Sequence, residues 1–135
     1  MGMAFGVLLA NIGYNPFWAL FMSTFIYAGS MQFVAIGLLS NATGLVAVAV
    51  MTFLVNARHI FYGLSMLEIF KSLKKTKLYM IFSLTDETFS LLSSIKPPDD
   101  VDKKWFYFFI AIFNHSYWVT GSLLGAVLGS VIFLN

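Results

Sequence analysis

Long apolar runs separated by short polar breaks set the pattern of this chain. Five runs stand out, at residues 1–12, 17–39, 44–67, 78–95 and 105–134. The breaks are compact. Residues 11–16, NIGYNP, and 40–43, SNAT, are turn clusters. Residues 71–77 hold Lys71, Lys74, Lys75 and Lys77. Residues 96–104, KPPDDVDKK, mix both signs, and Pro97 and Pro98 stop the helix before them. A helix needs about 20 apolar residues to cross a bilayer. The pattern therefore predicts an all-α, polytopic membrane helical bundle, one integral membrane domain over residues 1–135. It reads as about four full transmembrane helices plus a partial N-terminal one. The first run has no basic stretch before it, so it is not a signal peptide and reads as the tail of a helix. As one helix the fifth run is on the order of 45 Å long against a ~30 Å core, so it tilts, extends beyond the bilayer or breaks.

Composition agrees with a lipid setting. The chain is 59% hydrophobic and 10% charged, with a mean hydropathy of +0.84. A soluble domain carries roughly 25% charged residues. There is no cysteine, which removes disulfides and thiolate metal sites. The basic residues cluster in one loop, not over a surface, which argues against a nucleic-acid partner. By the positive-inside rule the loop 71–77 faces the cytoplasm, and alternation of the runs then puts residues 96–104 on the outside.

Polar groups at membrane depth carry the candidate chemistry. Asp86 and Glu87 sit mid-run in LYMIFSLTDETFSLLSSI. An unpaired carboxylate away from water is costly, so such groups face a polar interior, pair, or take up a proton. Being adjacent, they point about 100° apart on a helix and should have different roles. Three further clusters lie in the other runs: Ser30 and Gln32; Asn56, Arg58 and His59; Asn114 and His115. Asn56, His59 and Gly63 share one helix face, while Arg58 and Tyr62 lie about 160° round from Asn56. Either the third run breaks near Ala57 or Arg58 reaches an interface. Arg58 is thus a topology anchor or the ion-pair partner of Asp86 or Glu87. The acidic pair is a structural ion pair or a contact for substrate and coupling ion. Each histidine is a packing residue bonded to a carbonyl or part of the pathway. No metal-ligand spacing is recognisable. Gly121, Gly125 and Gly129 form a smooth stripe for close helix packing. The aromatic excess reads as lipid-facing bulk, with Trp105 an interfacial anchor. A faint internal repeat is present: Asn56 to Gly63 matches Asn114 to Gly121, and Ser30 to Phe33 matches Asp86 to Phe89.

Taken in order, Ala28-Gly29-Ser30-Met31-Gln32-Phe33, Asn56-Ala57-Arg58-His59-Ile60-Phe61-Tyr62-Gly63, Leu84-Thr85-Asp86-Glu87-Thr88-Phe89 and Asn114 with Tyr117, Trp118 and Gly121 resemble the AzlC family. Gly2-Met3-Ala4-Phe5-Gly6 is similar to that family's early glycine-containing helix. The resemblance implies the large subunit of a bacterial branched-chain amino-acid exporter in the plasma membrane. It implies valine, leucine, isoleucine and methionine as substrates, coupling to protons, no bound cofactor, and a small AzlD-like membrane subunit as partner. The family's fuller first segment and later segments have no counterpart here.

Other function classes fit less well. A passive channel needs a polar face along a whole helix, and only mid-run clusters are present. A non-transporting remnant or assembly subunit is the alternative, motivated by the short length. An enzyme is not expected, because no HExxH, GxSxG or phosphate-cradling motif occurs.

Overall fold

A computed structural model describes residues 1–73 and 75–133. Lys74 of the basic loop and Leu134 at the end of the fifth run lie outside the described residues. The described residues are helical throughout, in nine α-helices and one π-helical turn. They are α1 (Gly2–Asn11), α2 (Pro16–Phe21) continued by the π-turn Met22–Ile26, α3 (Ser30–Ser40), α4 (Leu45–Asn56), α5 (Arg58–Ser65), α6 (Leu67–Ser72), α7 (Lys77–Phe82), α8 (Asp86–Ser94) and α9 (Lys103–Phe133).

Among the described residues two helices are long and apolar enough to cross a membrane: Leu45–Ser65, which is α4 and α5 together, and Lys103–Phe133. The first has no fully buried residue. Its interruption falls at Ala57, where Ile60 N–H bonds the Ala57 carbonyl at 3.1 Å in a tighter turn. The fifth run does not break; α9 is one 31-residue helix.

The second and fourth runs are each divided into two helices. In the second, Tyr27 takes a left-handed conformation (φ 43°) and Gly29 follows at φ 49°. Glycine adopts this backbone readily. Tyrosine does not, at a cost of order 1–3 kcal/mol, and its surroundings must hold it there. Tyr27 is buried, its ring lies 4.1 Å from the His115 ring at 28°, and its hydroxyl meets Asn114. In the fourth run, the break covers residues 83–85. Thr85 adopts an extended backbone and its Oγ1 accepts from Thr88 N–H, an N-cap that starts α8.

α1 lies along the C-terminal half of α9 with almost nothing between the backbones. A Cβ on Gly6 would collide with the Ser122 carbonyl, and one on Gly125 with the Met3 carbonyl. One on Gly129 would sit 2.8 Å from Ala10 Cβ, and one on Gly121 3.3 Å from Met3 N. Glycines let two helices approach this closely, and the lost bulk is repaid in backbone contact. Two apolar clusters flank the centre. Phe5, Leu9, Ala19, Tyr27, Trp118 and Ala126 form one. Met66, Phe70, Leu73, Met80, Leu84, Leu92 and Ala111 form the other.

Candidate functional site

The breaks in the second and fourth runs meet between these two clusters. Asp86 is the first residue of α8 and Ser30 the first of α3. The Ser30 hydroxyl donates to Asp86 Oδ2 at 2.8 Å. The Arg58 guanidinium, from the start of α5, lies 2.9 Å from the same oxygen. The Tyr62 hydroxyl donates to Asp86 Oδ1 at 2.9 Å. So both carboxylate oxygens are engaged, by three groups from two elements, α3 and α5. A helix N-terminus also favours a negative charge at this position.

Arg58 is not saturated by this contact. Its Nε and Nη2 are buried and have no aligned hydrogen-bond acceptor among the described residues. The 2.9 Å approach is close enough for an ion pair but off the hydrogen-bond direction. The guanidinium therefore keeps donors to spare. Glu87 is the opposite case. It is half-buried, and no hydrogen bond or ion pair to it is formed among the described residues. Its carboxylate faces the bare Cα of Gly29; a Cβ there would be 3.6 Å from Glu87 Oε2.

A second network runs behind this one, on α9. Asn114 Nδ2 donates to Thr88 Oγ1 at 2.9 Å and to the Tyr27 hydroxyl at 3.1 Å. His115 Nε2 is 3.1 Å from the Ser23 carbonyl, and Nδ1 is 2.9 Å from the Tyr79 hydroxyl. A carbonyl only accepts, so Nε2 carries the proton and Nδ1 of the neutral ring accepts from Tyr79. Trp118 Nε1 donates to Gln32 Oε1 at 3.0 Å, and Gln32 Nε2 reaches Ser23 Oγ at 3.4 Å. This network ties both breaks to one straight helix.

The residues singled out from sequence thus divide into three groups. Ser30, Arg58 and Asp86 come together, with Glu87 beside them. Gln32, Asn114 and His115 belong to the network on α9. Asn56 and His59 join neither; Asn56 Nδ2 bonds the Thr52 carbonyl and His59 Nδ1 the Asn56 carbonyl, both at the break in their own helix. Of the two faces of the third run, the one with Arg58 and Tyr62 turns to Asp86. Tyr27, Tyr62, Tyr79 and Trp118 were not among the site residues expected from sequence. Tyr62 had a usable signal, its i+4 spacing from Arg58. No three side chains of the metal-ligating types gather among the described residues.

Helices long enough to cross a bilayer, an apolar outer surface and polar groups gathered at the centre define a multi-pass helical membrane protein. The family model described as AzlC protein matches residues 1–132, and the chain belongs to that family. It is 42% identical, over its whole length, to the Bacillus subtilis branched-chain amino acid transport protein AzlC, of which it covers 53%. It is 52% identical over 130 residues to an uncharacterized membrane protein of Helicobacter pylori, 96% of this chain and 57% of that protein. To the Escherichia coli inner membrane protein YgaZ it is 32% identical over 134 residues, 96% of this chain and 54% of that protein. The chain spans about half the length of the curated relatives it matches. No solved structure matches it.

Proposed function

We propose that the chain is part of a secondary transporter that exports branched-chain amino acids, driven by the proton gradient. The observation that carries the reading is the unequal use of the charges at the meeting of the two breaks. Asp86 is fully engaged, while Arg58 has spare donors and Glu87 has no partner among the described residues. Such a set complements a zwitterion, with Arg58 for the carboxylate and Glu87 for the ammonium group. Half-helix N-termini at mid-membrane are a known way to hold an anionic substrate group. Tyr62 and Phe89, stacked at 4.2 Å, offer an apolar wall to an aliphatic side chain. Glu87 is also the group free to carry the proton when the substrate is absent. The name of the Bacillus subtilis relative supports the substrate class. A small AzlD-like membrane subunit completes the transporter in this reading.

Flux of labelled valine across proteoliposomes tests it, with and without a pH gradient, for this chain alone and with a candidate small subunit. Gradient-dependent efflux is the expected result. Efflux indifferent to the gradient in both preparations removes the coupling, and none in either removes the transport reading. A second reading is a non-transporting assembly subunit. Stable co-purification with the partner, with no flux from the complex, would favour it.

A further inference from the structure

The geometry points to a membrane topology in which the second and fourth apolar runs do not cross the membrane but are re-entrant hairpins, entering from opposite faces and meeting tip to tip.

The straight helix α9 serves as a ruler. On the first hairpin, the descending limb brings Ser23 to His115 and Tyr27 to Asn114. The returning limb places Gln32 on Trp118, and Phe33 6.3 Å from Trp118 and 6.1 Å from Phe5. Phe5 lies between Gly2, which meets Trp118 and Ser122, and Gly6, which meets Ser122 and Ala126. So α3 climbs back towards the C-terminal end of α9. The two limbs line one groove of about 610 Å³, with Trp18, Phe21 and Ile26 on one side and Met31, Ala35 and Leu39 on the other. In a straight helix Trp18 and Leu39 would be about 31 Å apart.

The second hairpin approaches from the other end. Tyr79 stands 5.5 Å from Phe108, and Phe82 stands 5.8 Å from His115 and 6.3 Å from Tyr27. After the break, Thr88 bonds Asn114, Leu92 packs in the cluster of Ala111, and Ile95 lines a pocket with Ile110. Both limbs therefore lie along the same N-terminal stretch of α9. A straight helix would separate Tyr79 from Ile95 by about 24 Å.

Two physical arguments agree. Broken backbone at membrane depth is tolerated only where protein or a cavity surrounds it. The tips qualify: Tyr27 is 3% exposed, Ser83 0% and Thr85 2%. The charges also sort themselves. In this topology Lys71, Lys75 and Lys77 share a face with Lys96, Lys103, Lys104 and the three aspartates between them. The described loops on the opposite face, residues 11–15 and 41–44, contain no charge. All the loop lysines described are then on one side, as the positive-inside rule asks. The expectation that residues 96–104 lie outside gives way, because it assumed that the fourth run crosses. The repeat also gains a form. A hairpin and then a spanning helix occur twice with opposite entry, and the tip residues Ser30 and Asp86, 56 positions apart, bond each other.

The chain has no cysteine, so single cysteines report without background. Asn15→Cys, Asn41→Cys, Ser72→Cys and Asp99→Cys are all at exposed loop or helix-end positions. A membrane-impermeant thiol reagent is applied to right-side-out and to inverted vesicles. The expected result is two pairs: positions 15 and 41 labelled from one side, 72 and 99 from the other. Labelling of positions 72 and 99 from opposite sides overturns the second hairpin, and of 15 and 41 from opposite sides the first. Thr43→Cys and Lys96→Cys stand in if a variant fails to accumulate. The outcome is independent of what is transported.

Discussion

The Ser30 hydroxyl donates to the Asp86 carboxylate at 2.8 Å, and each of these residues begins the second limb of its broken run. The bond joins two helix N-termini whose orphan N–H groups would otherwise face each other with like partial charge. Asp86 supplies the negative charge that lets them approach, and Arg58 balances it.

That balance is testable by a double-mutant cycle. Asp86→Ala leaves Arg58 without its counter-charge and strands Ser30 and Tyr62. The pair is about a third exposed, at 35% and 27%, so a fully buried estimate does not apply. A loss of roughly 1–2 kcal/mol is expected for each single variant, and less than the sum for Arg58→Ala with Asp86→Ala. Unfolding titrations in mixed micelles read the difference. Strict additivity would mean that the two charges do not support each other.

Glu87 should behave differently. It has no hydrogen bond or ion pair to lose among the described residues, so Glu87→Gln is expected to change stability by no more than about 0.5 kcal/mol. Its effect belongs to flux. Gradient-driven valine efflux should fall to the background of empty vesicles while the protein stays folded. Retention of full gradient-driven efflux in Glu87→Gln would move the proton-carrying role elsewhere.

The glycines divide by what a methyl group would meet. Gly6→Ala and Gly125→Ala collide with carbonyls across the α1–α9 seam and should cost about 1–3 kcal/mol. Gly63→Ala meets nothing within 4 Å and sits inside α5, so it should stabilise by up to about 1 kcal/mol. Thermal melting in one detergent compares all three. Equal effects in both groups would show that the seam is looser than drawn.

Tyr27 tests the first tip. Tyr27→Phe keeps the stack on His115 and removes the bond from Asn114, at roughly 0.5–1.5 kcal/mol. Tyr27→Gly relieves the left-handed backbone yet loses both contacts, and should be the worse of the two. If glycine were the milder change, backbone strain would outweigh the stack and the hydroxyl.

How much of this was visible in the chain itself can be said residue by residue. The polar clusters stand out against apolar neighbours, and the stripe Gly121, Gly125 and Gly129 declares a packing face. The break near Ala57 is one of two readings left open by Arg58 and His59 lying on different faces, the other being an Arg58 that reaches an interface. The folding back of the second and fourth runs does not follow, because hydropathy measures length and apolarity and is blind to direction. Residues 17–39 look the same whether they cross or return. Gly29 and the capping residue Thr85 were local hints, but a left-handed tyrosine has no sequence signature; it is imposed by Asn114 and His115 from a distant helix. The tyrosines were read as lipid-facing bulk because half of their chemistry lies in a hydroxyl that composition does not count.

The seam between α1 and α9 has a consequence for biogenesis. Met3 and Gly125 touch through backbone, yet nearly the whole chain separates them. Contacts between such distant partners form late, after the intervening loop has been closed at an entropic cost. During insertion α1 therefore waits in lipid with Gly2 and Gly6 uncovered until α9 arrives. Docking of α9 secures α1 and, through Asn114, His115 and Trp118, both tips in a single step. The tips that carry Ser30 and Asp86 are thereby fixed only once α9 is in place.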